Sequence, residues 1–249
     1  MSHRTLLLAA HGSSRPGGDN PVLRLAENLR ARDTFSDVHC GFLKQTPLLG
    51  EVLSQLHTKE LIVVPMLSSH GYITDELIPQ ALSQVDSEIR VRLCDPIGVH
   101  RDIPGIMAKR ASSIIKEHAL EHSQVSILIA AHGNTKNPQN ADQTNALAAC
   151  VEKLMNGIAT HAAFIEEAPL VSDWPQMTTA KNLIVLPYLI GGGLHAQEDI
   201  PSMLGLSAGD YTTAPVAGPF NAQGRIIWYC RALGFEEALT NIILDIVSE

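Results

Sequence analysis
Short apolar runs alternate with longer stretches of helical periodicity along the first half of this chain. Residues 6–10, 38–42, 61–65 and 90–94 have the length and composition of strands. Helical patterns occupy residues 22–32 and 102–118. The first and third runs are apolar without alternation, as expected of strands buried on both faces. Strand, helix, strand in repetition requires right-handed crossovers, and therefore a parallel, doubly wound α/β sheet.

The second half repeats this plan. Thr5-Leu-Leu-Leu-Ala-Ala-His11-Gly-Ser returns as Ser126-Ile-Leu-Ile-Ala-Ala-His132-Gly-Asn. His39-Cys-Gly-Phe-Leu-Lys44-Gln-Thr-Pro47 returns as His161-Ala-Ala-Phe-Ile-Glu166-Glu-Ala-Pro169. Leu61-Ile-Val-Val-Pro65 returns as Leu183-Ile-Val-Leu-Pro187. Three matches in one order, at a nearly constant offset, indicate internal duplication. The polar run at 121–124 divides the chain into an N-terminal repeat, 1–122, and a C-terminal repeat, 123–249. Two tandem α/β domains facing each other across a cleft are expected.

Composition narrows the function. The chain of 249 residues is 45 % hydrophobic and 4 % aromatic, with a formal net charge of -8. An acidic, aromatic-poor chain lacks both the basic face and the stacking platforms of a nucleic-acid binder. The apolar run near the start is too short for a signal core or a membrane span, so a cytoplasmic protein is expected. Four cysteines stand far apart with no CxxC pair, and buried free thiols are expected rather than disulfides or a zinc knuckle. Lys plus Arg number 13 against 14 acids through His122, and 5 against 12 beyond it, so the second repeat carries most of the negative charge. That asymmetry favours a cation in the second repeat, while Arg15 and Lys44 in the first suit an anionic substrate.

In open parallel sheets, ligands bind beyond the carboxyl ends of the strands. His132 ends the first strand of the second repeat and Glu166 ends its second strand. His195 lies in the loop Gly191-Gly192-Gly193-Leu-His195 after the third, ahead of a helix expected over 197–204. Two imidazoles and a carboxylate without a fourth protein ligand describe an open site for a divalent transition metal. The glycines would let backbone approach a flat, bulky ligand. The first repeat carries His11, Lys44 and Ile73 at the matching positions. A lysine repels a cation and an isoleucine cannot coordinate one, so that copy reads as degenerate. His70, nearby, is out of register with His195. A non-catalytic carrier of the metal or of the flat ligand, and a metal-dependent hydrolase, would use the same three residues.

Ala10-His11-Gly-Ser, Ala131-His132-Gly-Asn, Phe164-Ile-Glu166-x-x-Pro169 and Gly193-Leu-His195-Ala-Gln-Glu-Asp-Ile-Pro201 resemble the class II tetrapyrrole chelatases, nearest to the sirohydrochlorin chelatases of CbiX and SirB type. The resemblance spans nearly the whole chain as two chelatase-like repeats. It implies insertion of Co²⁺ or Fe²⁺ into sirohydrochlorin or a related tetrapyrrole, on the way to cobalamin or sirohaem. Ni²⁺ or Zn²⁺ would be accepted in vitro, and no organic cofactor is implied. The family's metal-site residues map to His132, Glu166 and His195. His11, Arg15, Lys44 and Gly191 to Gly193 are left for the substrate. No nucleic acid or membrane partner is implied, and a monomer or homodimer is expected. The intact residue set lies in the second repeat, whereas long sirohydrochlorin-type members often carry it in the first.

Overall fold
The computed structural model describes residues 4–12, 20–135, 139–207, 209, 211 and 213–248. They form two compact units, one comprising Met1–His100 with Glu236–Glu249 and the other Arg101–Phe235.

In the first unit, β1 (Arg4–Ala10), β2 (Asp37–Phe42), β3 (Glu60–Pro65) and β4 (Arg90–Leu93) make an all-parallel sheet in the order β2-β1-β3-β4. Leu6, Leu7, Leu8 and Ala9 on the central β1 are wholly buried, as their unbroken apolar run implies. The connecting helices are α1 (Pro21–Arg30), α2 (Leu49–Ser54) and α3 (Ile78–Leu82). Helix α1 starts where it does because the Asn20 side chain accepts a hydrogen bond from the Val22 N–H at 2.9 Å and Pro21 takes the first helical position. Pro21, Val22, Leu25, Ala26 and Leu29 form its buried stripe.

The second unit opens with α4 (Ile103–Glu117) and contains β5 (Val125–Ala131), α5 (Gln139–Leu154), β6 (Thr160–Phe164), α6 (Trp174–Met177), β7 (Asn182–Pro187), α7 (Ile200–Met203), β8 (Val216–Ala222) and β9 (Arg225–Cys230). Its sheet runs β6-β5-β7-β9-β8, parallel except for β8, which pairs antiparallel with β9. Among the described residues, this edge strand has no counterpart in the first unit. Gln223 and Gly224 join it to β9 with φ of 50° and 74°, and a two-residue hairpin turn with both angles positive is the type I′ turn that matches strand twist. Trp174, Tyr211, Tyr229 and Phe235 pack with Leu128, Val185 and Ile200 on one side of the sheet.

The compact units cut across the repeat halves 1–122 and 123–249. Helix α4, encoded in the first repeat, packs on α5 and β7 of the second unit through a face that includes Ile103, Met107, Ala111 and Ile114. The final helix, α8 (Leu239–Ser248), packs on α1 and the 3₁₀ turn Ile97–Val99 of the first, with Leu239, Ile242, Ile243 and Ile246 buried. Periodicity specifies that a helix buries one face. It does not specify against which sheet.

No helix among the described residues is long and apolar enough to cross a membrane. All four cysteines are free, but only Cys40 and Cys230 are buried; Cys150 is exposed on α5 and Cys94 is intermediate, which corrects the expectation of four buried thiols. Burial, opposed by Arg30 and reinforced by Glu27, pushes the Cys40 thiol up to about 11. Because the thiolate is the reactive form, a thiol reagent applied to native protein at pH 8 is expected to label Cys150 first. Cys40 and Cys230 should react only as the chain unfolds. Mass spectrometry of labelled peptides reads the order, and early labelling of Cys40 would contradict the packing around β2.

Candidate metal centre
The end of β5 is bound tightly to the end of β6. Gly133 has φ +80°, and a Cβ there would lie 2.8 Å from Phe164 Cβ, so the backbone passes β6 at a distance only glycine permits. Ile165 N–H donates to the Ala131 carbonyl at 3.1 Å and Glu166 N–H to the His132 carbonyl at 3.0 Å. The Glu167 carboxylate accepts from Asn134 N–H at 2.7 Å. These bonds place Glu166 beside His132, with Oε2 3.7 Å from Nδ1. His132 Nδ1 is also 2.9 Å from the Gly133 carbonyl oxygen. A carbonyl only accepts, so Nδ1 carries the proton and Nε2 keeps its lone pair.

His195 reaches the same place from β7. It was expected in a loop ahead of a helix over 197–204. Instead it is the first residue of a π-helical turn, His195–Asp199, that runs directly into α7. The Ile200 N–H closes the turn on the His195 carbonyl, and such turns recur at functional sites. The imidazoles of His132 and His195 meet edge to face, with centroids 4.7 Å apart and planes at 88°. His195 Nδ1 is 2.6 Å from Asp199 Oδ2, which leaves Nε2 as the ring nitrogen available to a ligand. The Tyr229 hydroxyl donates to the Ala196 carbonyl at 2.7 Å. Burial, with smaller contributions from Cys230 and Tyr211 and against Arg110, holds the Tyr229 phenol well above its ordinary value, so it stays a donor.

The glycine loop is tied to this turn, because the Gln197 side-chain amide donates to the Gly192 carbonyl. Gly191 is exposed, and a Cβ there would meet nothing within 4 Å, so the fold itself does not demand glycine at that position.

The first unit holds the same scaffold with different chemistry. His11 Nδ1 lies 3.1 Å from the Gly12 carbonyl, Gly12 has φ +78°, and Lys44 N–H donates to the His11 carbonyl at 2.9 Å. Ile73 opens a matching π-helical turn, Ile73–Leu77. Lys44 therefore stands where the second unit has Glu166, and Ile73 where it has His195. His70, out of register with Ile73, lies between two acids, its Nδ1 3.6 Å from Asp75 and its Nε2 3.5 Å from Asp95. Arg15 lies outside the described residues.

His132, Glu166 and His195 thus gather at one edge of the second sheet, but their donor atoms do not all sit within 4.8 Å of one another. The two imidazoles are in ring contact. Glu166, more than half exposed, lies beside His132. Two imidazole nitrogens and an exposed carboxylate are a donor set that suits a borderline divalent ion.

The sequence profile of the CbiX family matches residues 5–114 and again 126–249. The chain belongs to the CbiX family. A protein of Halobacterium salinarum named as a probable sirohydrochlorin cobaltochelatase is 27 % identical over 265 aligned residues, covering 97 % of this chain and 90 % of that protein. Two solved structures share the fold. One, from Deinococcus radiodurans, is described as a multi-domain protein with structural similarity to chelatases; it superposes with TM-score 0.73 at 23 % identity over 99 % of this chain and 54 % of that one. This chain thus spans about half the length of that protein. The other is the sirohydrochlorin chelatase SirB from Bacillus subtilis in complex with cobalt, with TM-score 0.71 at 15 % identity over 99 % and 94 % of the two chains.

Three residues of this CbiX-family chain were given no role by the sequence reading. Asp199 was quoted within the motif that runs from His195 to Pro201, but its spacing of four from His195, which brings side chains together on a helix, was not used. Glu167 is adjacent to Glu166 and indistinguishable from it without the loop geometry. Tyr229 sits on a distant strand and leaves no local signal.

Proposed function
We propose that this CbiX-family chain inserts a divalent metal ion, Co²⁺ or Fe²⁺, into sirohydrochlorin or a closely related tetrapyrrole. The observation that carries the reading is the meeting of His132 and His195 edge to face beside Glu166, in the second unit alone. The family match and the name of the Halobacterium relative support the substrate class.

The metal is substrate. In this reading the Nε2 lone pairs of His132 and His195 bind it, and Glu166 completes the set. Insertion releases two pyrrole N–H protons, and a carboxylate or a neutral imidazole is a suitable acceptor near neutral pH. Holding metal and macrocycle in contact removes the entropic cost of their encounter. The reading extends to Ni²⁺ and Zn²⁺ in vitro, to a cytoplasmic enzyme without an organic cofactor, and to a monomer or homodimer with neither nucleic-acid nor membrane partners. Gly191, Gly192 and Gly193 border the metal and receive the macrocycle. His11, Arg15 and Lys44 serve its anionic substituents.

The test is direct. Protein, sirohydrochlorin and Co²⁺ or Fe²⁺ are mixed, and the macrocycle absorption is followed. Many turnovers per protein are expected; a single stoichiometric change without turnover would instead describe a carrier and overturn the assignment. Lys44→Glu is expected to raise KM for the tetrapyrrole by up to about 5-fold, the equivalent of about 1 kcal/mol for an exposed charge pair, and to leave KM for Co²⁺ unchanged. An unchanged tetrapyrrole KM would remove Lys44 from the substrate contacts.

A further inference from the structure
We propose that Asp199 and Tyr229 are positioning residues that hold His195 with Nε2 presented to the metal; the inference rests on the chelatase reading above. Asp199 acts on the ring. Its carboxylate is 2.6 Å from Nδ1, which confines the proton to Nδ1 and restrains rotation of the imidazole. Tyr229 acts on the backbone beneath it. Within a π-helical turn each carbonyl seeks the N–H five residues on, and the Ile200 N–H serves His195 in this way. The next carbonyl, that of Ala196, would look to residue 201, which is proline and has no N–H. The Tyr229 hydroxyl supplies the missing donor at 2.7 Å, from strand β9, 33 residues away in sequence but beside β7 in the sheet.

The duplicated chain contains its own control. The first unit keeps the turn, Ile73–Leu77, closed by the Ile78 N–H on the Ile73 carbonyl and followed by Pro79, just as Pro201 follows Ile200. In it, His195 becomes Ile73 and Asp199 becomes Leu77. The strand register completes the comparison: β7 Val185 is paired with Tyr229, and its counterpart, β3 Val63, is paired with Leu93. All three polar groups are replaced by apolar ones while the turn persists. The turn therefore does not need the His–Asp–Tyr set in order to form, and the set is present where a metal-binding imidazole is present.

The experiment measures Co²⁺ binding to the full chain without tetrapyrrole, by the visible absorption of the bound ion and by competition with a chelator. Asp199→Leu, which installs the side chain found at Leu77, is expected to weaken Co²⁺ binding by about 10- to 100-fold, the usual consequence of losing the partner of a metal-bound histidine. Asp199→Asn keeps an acceptor oxygen and should lose less, and Tyr229→Phe should weaken binding by a smaller factor and alter the Co²⁺ spectrum. In turnover, KM for Co²⁺ should rise in Asp199→Leu while KM for the tetrapyrrole stays put. Thermal unfolding of each variant is read alongside. If Asp199→Leu changes stability but binds Co²⁺ as the parent does, while His195→Ala loses it, Asp199 is a structural cap and the inference is wrong with the chelatase reading intact. If His195→Ala itself binds Co²⁺ normally, both fall together.

Discussion

His132→Ala and His195→Ala are each expected to reduce the rate of Co²⁺ insertion by at least about 100-fold, because a positioned base contributes about 10²- to 10⁴-fold and each ring is also a proposed metal donor. The two rings are not interchangeable spares. In the proposed site each offers one Nε2 lone pair, His132 because the Gly133 carbonyl faces its Nδ1 and His195 because Asp199 does. Removing either leaves a single imidazole and a half-exposed carboxylate, which is too few donors to hold a divalent ion against water. Neither ring carries the core: both are partly exposed, so the alanine variants should fold and unfold much like the parent. His11→Ala, on the copy with Lys44 and Ile73, should cost far less. Initial rates at saturating tetrapyrrole, with Co²⁺ varied, provide the comparison. Parental activity in His132→Ala would dismantle the site, whatever became of the fold.

Gly234→Ala is expected to cost about 3 kcal/mol of stability, at the upper end of what overpacking imposes, and to disturb ligand binding as well. Gly234 lies in a 3₁₀ turn pressed on the segment that follows β7. A Cβ there would be 1.8 Å from the Ile190 carbonyl oxygen and 3.0 Å from its Cα. These are backbone atoms, so no side chain can swing aside. The Gly234 N–H also donates to the Leu189 carbonyl at 3.1 Å, and relief of the clash would sacrifice that bond. Ile190 leads into Gly191 to Gly193, so the displacement is passed to the loop that precedes His195. The thermal midpoint should fall by roughly 6–12 °C for a chain of this size, and KM for metal and tetrapyrrole should rise together. Gly98 provides the matched control in the other unit, where a Cβ would be 2.0 Å from the Ser68 carbonyl oxygen. Gly98→Ala should lower the midpoint comparably and leave Co²⁺ affinity near that of the parent. Equal loss of Co²⁺ binding in both variants would mean that the effect is general unfolding rather than local displacement.

Much of the candidate site could be read from the chain because duplication exposes it. His132 and Glu166 sit at ends of strands whose apolar runs are unmistakable, and their counterparts His11 and Lys44 mark the same positions in the other copy. His195 was legible as a residue but not as a conformation. Its π-helical turn depends on a hydrogen bond between residues five apart, and no side-chain periodicity encodes that choice. Asp199 was within reach of a spacing argument. Tyr229 was not, since it meets Ala196 only because β9 is laid beside β7.

The order of residues alone determined the two-fold repetition, the parallel strands and the three candidate donor side chains, because apolar runs and recurring motifs are properties of neighbours along the chain. Tertiary structure decided which unit each terminal helix joins, that β8 closes one edge of the second sheet, and that Tyr229 reaches the Ala196 carbonyl. Those outcomes depend on contacts between segments far apart in sequence. Their energies appear only when a buried face, a strand edge or a hydrogen-bond donor arrives from elsewhere in the fold.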